Sequence, residues 1–163
     1  MAALRWTMLL ALVLLAGCAS RPRFAEVATR LPPPGGQARL FVYRAPTLSQ
    51  SLEWVPIFLN RASIGSVGPG HVLVCDMPPG TYTIATASQG LWPNQDRTVS
   101  VQPGQQIYAE IGSFRTPNPT ARSNQVLQST FAVMLQDTAV GSRDVMQLWY
   151  SPCNAPYAPP AVS

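Results

Sequence analysis

From residue 37 onward, apolar and polar positions alternate in short runs separated by proline- and glycine-containing breaks roughly every eight to twelve residues, the pattern of a β-sandwich or barrel. In the first run, residues 38–44, Leu40 and Val42 fall on one face and Phe41 and Tyr43 on the other, so this strand is expected to be covered on both sides. A second strand spans 54–59, and Pro56 within it calls for an edge or a bulge, because proline has no N–H to give a ladder. Asn60-Arg61 turns into a short strand around 64–67, and Gly68-Pro69-Gly70 turns again into 71–77. Met77-Pro78-Pro79-Gly80 reads as a corner: the prolines preset φ, the glycine tolerates unusual φ, and Tyr82 and Ile84 then alternate with threonines. Residues 97–102, Pro103-Gly104 and 105–112 read as a hairpin with Val99, Val101, Ile107, Ala109 and Ile111 inward, and 113–124 as a polar loop. Residues 125–136 resume the alternation with Leu127, Phe131, Val133 and Leu135 on one face. The spacing then changes, and a short helix over 142–148 capped by Ser142 is expected, followed by a proline-rich tail, 151–163, without fixed structure past Cys153.

The N-terminal pattern is different. Arg5 precedes an almost wholly apolar stretch, 6–15, and small residues close it at Ala16-Gly17, the layout of a secretory signal peptide. The stretch is shorter than the ~20 apolar residues that span a bilayer, and Ser20-Arg21-Pro22-Arg23 does not extend it. Leu15-Ala16-Gly17-Cys18 resembles the cleavage motif of bacterial lipoproteins, which implies that residues 1–17 are removed and Cys18 carries the lipid. Several acyl chains at ~0.8 kcal/mol per buried methylene make such an anchor effectively permanent. Ala19-Ser20, with no Asp after the cysteine, implies by the same resemblance sorting to the outer membrane, with the folded part in the periplasm. Residues 18–36 then read as a tether, ending in Pro32-Pro33-Pro34-Gly35-Gly36; Phe24, Val27, Ala28 and Leu31 have helical spacing and allow a turn or two of helix against the domain. Fully extended at ~3.3 Å per residue, this tether reaches tens of ångströms from the lipid. One domain, 37–150, is expected.

Composition narrows the chemistry. The net charge of +4 falls to +3 without Arg5, and arginine supplies every cation, a small surplus with no basic stripe for nucleic acid. The absence of lysine excludes phosphate-cradling, Schiff-base and kinase-type lysines. His71 is the only histidine, so clustered-histidine metal sites cannot be built. Cys75 and Cys153 have three readings: a disulfide, favoured in an oxidising envelope; two buried thiols; or metal ligands with His71 and Asp76.

The series Phe41-Val42-Tyr43-Arg44, Pro56-Ile57-Phe58-Leu59-Asn60, Ile64-Gly65 and Pro78-Pro79-Gly80-Thr81-Tyr82 resembles an uncharacterised family of bacterial lipoprotein domains known only as a domain of unknown function (DUF2846-like). The resemblance spans about residues 38–148 and implies an immunoglobulin-like or transthyretin-like β-sandwich, with no catalytic residues to carry over. Family members commonly have Asp-Gly or Asn-Gly where this chain has Asn60-Arg61, so a different hairpin turn is expected there.

A hydrolytic set of Ser66, His71 and Asp76 has the right residue types but no nucleophile elbow, and the acidic residues show no spacing that recommends a glycosidase pair. Trp54 and Trp92 adjoin polar loops and suit contact with a sugar or a protein, and a glycan-binding module would have Trp92 and the loop from Arg115 to Arg122 at its site. The expectation is a mainly β, lipid-anchored envelope protein without enzymatic activity, cofactor or metal, acting as a binding or structural module toward an envelope protein. The alternatives are a peptidoglycan-binding module and, last, an envelope hydrolase.

Overall fold

A computed structural model describes residues 21–32, 34–46, 52–87, 95–117 and 127–154. Among the described residues, nine strands form two sheets: β1 Ala38–Tyr43, β2 Val55–Leu59, β3 Ala62–Val67, β4 His71–Met77, β5 Gly80–Thr86, β6 Arg97–Val101, β7 Gln106–Pro117, β8 Leu127–Gln136 and β9 Trp149–Pro152. The larger sheet has the order β8-β7-β1-β4-β9 and the smaller β3-β2-β5-β6. They pack face to face as a sandwich around Leu40, Val42, Ile57, Leu59, Leu73, Met77, Ile84 and Ile111. The helices α1 Phe24–Ala28 and α2 Thr138–Val145 lie on the other side of the larger sheet. There Phe24, Val145 and Leu148 pack on Phe41, Tyr43, Val72 and Tyr108. Every residue of β1 is buried for that reason.

Strand order follows from these two covers. β1 pairs antiparallel with β4 and parallel with β7, and β4 pairs parallel with β9. Parallel neighbours need crossovers and cover on both faces. The crossover to β9 contains α2, which packs against β7.

Several sequence expectations are corrected by pairing that periodicity cannot see. The 97–112 unit is not a hairpin: β6 pairs with β5 in the small sheet, whereas β7 pairs with β1 and β8 in the large one. The Pro103-Gly104 turn is an arch between sheets, with Gly104 at φ +75° and its N–H donating to the Gln37 carbonyl. β7 continues to Pro117 through the stretch expected to be loop, held by ten register pairs with β8 and by the buried Thr116–Thr130 hydroxyl contact of 2.6 Å. The expectation at Pro56 holds in its second form: the strand bulges between Ile57 and Phe58, and Pro56 sits at the start of β2, a central strand, ahead of the first residue paired with β5. Leu135 shares the inward face but is 45% exposed, because β8 is an edge strand.

Two turns keep the geometry their residues imply. The Pro-Pro-Gly corner carries the chain from β4 to β5, and the Tyr82 hydroxyl donates to the Pro78 carbonyl at 2.7 Å to hold it. Asn60 and Arg61 both have positive φ, 48° and 70°, the conformation a two-residue hairpin of the primed type demands. The expected change of turn at Arg61 therefore does not occur; Asn60 Oδ1 accepts from the Thr83 N–H at 2.8 Å and fixes the turn against β5.

α2 begins four residues earlier than the expected helix, with Asp137 at the N-cap position, and Ser142 lies inside it. Gly141 obscured this, since glycine mid-helix costs about 1 kcal/mol relative to alanine. Here it is required: a Cβ at Gly141 would lie 2.3 Å from the Tyr108 Cβ. Gly141→Ala is accordingly expected to lower stability by roughly 1–3 kcal/mol, against its helix propensity. Urea denaturation measures this, and a gain in stability would show that α2 does not approach β7 this closely.

The assumed tether is in part a component of the domain. Phe24 is 6% exposed and its ring meets Phe41 edge-on at 5.4 Å. The Phe24 and Ala25 N–H groups donate to the carbonyls of Leu148 and Met146, and Tyr150 N–H donates to the Pro22 carbonyl. The domain also extends past 150, since Ser151 and Pro152 complete β9.

Candidate functional site

The end of the sandwich where β1 stops brings together Trp54, His71 and Ser66 of the residues singled out by chemistry. Arg44, the strand-ending arginine, is wholly buried, and its guanidinium donates to the Glu53 carbonyl and lies 5.0 Å from the Phe131 ring centre. Burial pulls its pKa down, while Glu53 opposes that shift. Arg44 thus fixes the segment that leads into Trp54, and its role is structural.

Trp54 is 44% exposed, and its ring is surrounded on the protein side. His71 meets it at 4.6 Å between ring centres, the Arg21 guanidinium lies 5.4 Å from its centre, and a Cβ at Gly68 would come within 2.8 Å of it. A sugar stacked on this ring would have to compete with Arg21. His71 Nδ1 is 2.9 Å from the Pro69 carbonyl, an arrangement in which it donates. Burial lowers the His71 pKa, the bond to Pro69 raises it, and Arg21 and Arg23 lower it further. Beside Trp54, an open cleft of about 420 Å³ is lined by Arg21, Ser66, Tyr150 and Asn154 among others. A broader depression of about 820 Å³ lies on the outer face of the small sheet, lined by Phe58 among others.

The triad is not assembled. His71 and Asp76 are five residues apart on one strand, so they point to opposite faces about 16 Å apart along it. Asp76 is instead bound to Arg39, whose Nε and Nη2 donate at 2.6 and 2.8 Å. Ser66 lines the cleft by Trp54. Cys75 and Cys153 are joined in a disulfide with Cα atoms 5.3 Å apart, which removes them as metal ligands. Among the described residues, no three His, Cys, Asp or Glu side chains are grouped to hold a metal.

Arg115 is exposed on β7, opposite Ser129. Trp92, Arg122 and Cys18 lie outside the described residues. Sequence reasoning missed Arg21 and Arg23. Arg23 forms a bridge with Trp149, places its guanidinium 3.8 Å from that ring centre and donates to the Gln147 carbonyl. The signal available was the helical spacing that starts at Phe24, one residue after this Arg-Pro-Arg stretch.

The fold and this site define a class: a β-sandwich with helices on one outer face, built on structural arginines and a disulfide. Residues 34–123, more than half of the chain, match the family described as "Protein of unknown function (DUF2846)", and the chain belongs to it. No curated protein and no solved structure matches the chain. The family region runs from the start of β1 past the end of β7, so α1, β8, α2, β9 and Cys153 lie outside it.

Proposed function

We propose that this protein is a lipid-anchored lipoprotein of the bacterial cell envelope, sorted to the periplasmic face of the outer membrane, where it acts as a non-catalytic binding or structural module. The observation that carries the reading is the fate of the three cysteines. Cys75 and Cys153 form a disulfide, which suits an oxidising compartment, and the third is Cys18, directly behind the apolar segment. Among the described residues no helix is long and apolar enough to cross a membrane. The separation of Asp76 from His71 along β4, and its pairing with Arg39, favour a binding role over hydrolysis. Arg21 over Trp54 weighs against a glycan stacked on that ring.

Cys18→Ala is expected to move the protein from the membrane pellet to the soluble fraction. Retention in the pellet overturns the anchor. Sedimentation of the released protein with purified peptidoglycan, free of other proteins, would instead favour the glycan-binding module.

A further inference from the structure

Resting on the reading of Cys18 as the lipid-bearing residue, the geometry points to a surface of the domain that lies directly on the bilayer. Arg21 is three residues after Cys18, and each residue spans at most about 3.8 Å between Cα atoms, so the Arg21 Cα is held within about 11 Å of the anchor. The headgroup layer is roughly 5–8 Å deep on each side of the hydrocarbon. From Arg21 on there is no slack. Arg21 lies over Trp54 and donates to Ser151, Pro22 accepts from Tyr150, Arg23 is bridged to Trp149, and Phe24 is buried. The tether expected to give tens of ångströms of reach is instead bound to the β9 edge of the sandwich.

What surrounds that point suits a membrane surface. Leu52 is 82% exposed, Trp54 44% and Met146 41%, three of the large apolar side chains left in solvent. Trp54 adjoins Gly68, and Pro69 lines one depression together with Met146 and Arg23, so the patch is continuous from Arg21 around to Arg23. Tryptophan and arginine are the residues that settle at the boundary between headgroups and hydrocarbon, the first through its amphipathic ring and the second by extending its charge to the phosphates. Glu26 lines the same depression as Arg23 and offsets its charge, so apolar contact and the short tether hold the surface, and salt is not expected to release it. The rim of Leu52, Trp54, Pro69 and Met146, with Arg21 and Arg23, therefore faces the lipid, and the opposite end of the sandwich faces the periplasm.

The test uses the full chain expressed in a bacterium, purified in detergent and reconstituted into phosphatidylethanolamine–phosphatidylglycerol vesicles whose acyl chains carry bromine, a short-range quencher of tryptophan. The mass of the N-terminal peptide reports acylation of Cys18 separately. Because Trp149 lines the same depression as Arg23, Pro69 and Met146, every form carries Trp149→Phe, and the form with no further change serves as the parent; the expected result is a loss of emission in that parent that is absent when Trp54→Phe is added, unchanged by added salt. Because Trp54→Phe alters packing on His71 and Gly68, a Leu52→Trp, Trp54→Phe variant serves as an independent reporter at an exposed position, and its emission is expected to be quenched again. An acylated, vesicle-bound protein whose parent, Trp54→Phe and double-variant emissions are quenched alike would overturn the membrane-facing rim while leaving the anchor intact. A mass without acyl groups would overturn the anchor, and this inference with it.

Discussion

Replacing Cys153 with alanine is expected to destabilise the domain by about 2–5 kcal/mol, the range for loss of a native disulfide in a small secreted domain. The bond joins residues 78 apart in sequence, and the chain-entropy argument for a loop of that length gives roughly 4–5 kcal/mol, mainly through restriction of the unfolded chain. The native state loses little else at position 153. Cys75 is different, being 1% exposed on the inner face of β4, so Cys75→Ala also leaves a small void in the core and is expected to be the more damaging of the two. Urea denaturation of the parent with and without a reductant is the measurement. The reduced parent is expected to approach the stability of Cys153→Ala, and that variant is expected to ignore the reductant. Insensitivity of the parent to reductant would refute the pairing.

The same bond governs how the N-terminal segment docks. β9 is only four residues long and lies at the edge of the sheet. It is held to β4 by four register pairs and by the disulfide just beyond its end. Pro22 and Arg23 bind to β9 through Tyr150 and Trp149, so loosening β9 loosens the docked N-terminal segment together with it. The link from central strand to disulfide, to edge strand, to docked N-terminal segment is what would set the domain's posture at a membrane.

How much of this was legible in the sequence depends on whether a feature is local. The apolar run of β1 announced cover on both faces, and the Pro-Pro-Gly corner announced itself through residues that preset the backbone. The partners of a strand are not local. Pro103-Gly104 looks the same whether the next strand folds back as a hairpin or crosses to the opposite sheet, and only the demand of β1 for a second neighbour decides it. β9 was invisible because Trp149-Tyr150-Ser151-Pro152 is short, partly exposed and ends in proline. Gly141 misplaced α2 because its reason is a ring on a distant strand. At the candidate site Trp54 was legible as an aromatic residue beside a loop, but its neighbours His71 and Arg21 are far away in sequence and arrive only through β4 and β9.

Asp76→Ala is expected to be the most damaging loss of a single polar group, at roughly 2–4 kcal/mol. Arg39 is 5% exposed, and its guanidinium donates through Nε and Nη2 to both oxygens of Asp76, with Nη2 also 2.7 Å from the Pro32 carbonyl. The hydrogen bond to Asp76 outweighs burial, and the Arg39 pKa is raised. Without the carboxylate a cation remains in the interior with one carbonyl as partner, and breaking a buried pair in that way typically costs about 3–5 kcal/mol. The Asp76 side chain is 36% exposed, so water reaching the vacated space reduces the figure. The asymmetry of burial gives a sharper test than the magnitude. Arg39→Met leaves behind a carboxylate that water can reach, so it is expected to cost less than Asp76→Ala, and Arg39→Met with Asp76→Leu is expected to recover most of the parent's stability. Equal losses for the two single variants would show that the pair is solvated on both sides. Arg39 also ties Pro32 to β1, just past the point where α1 docks. Asp76→Ala is therefore expected to speed amide exchange in α1 before the sheet core responds, and a uniform change across both would place the loss in the global fold instead.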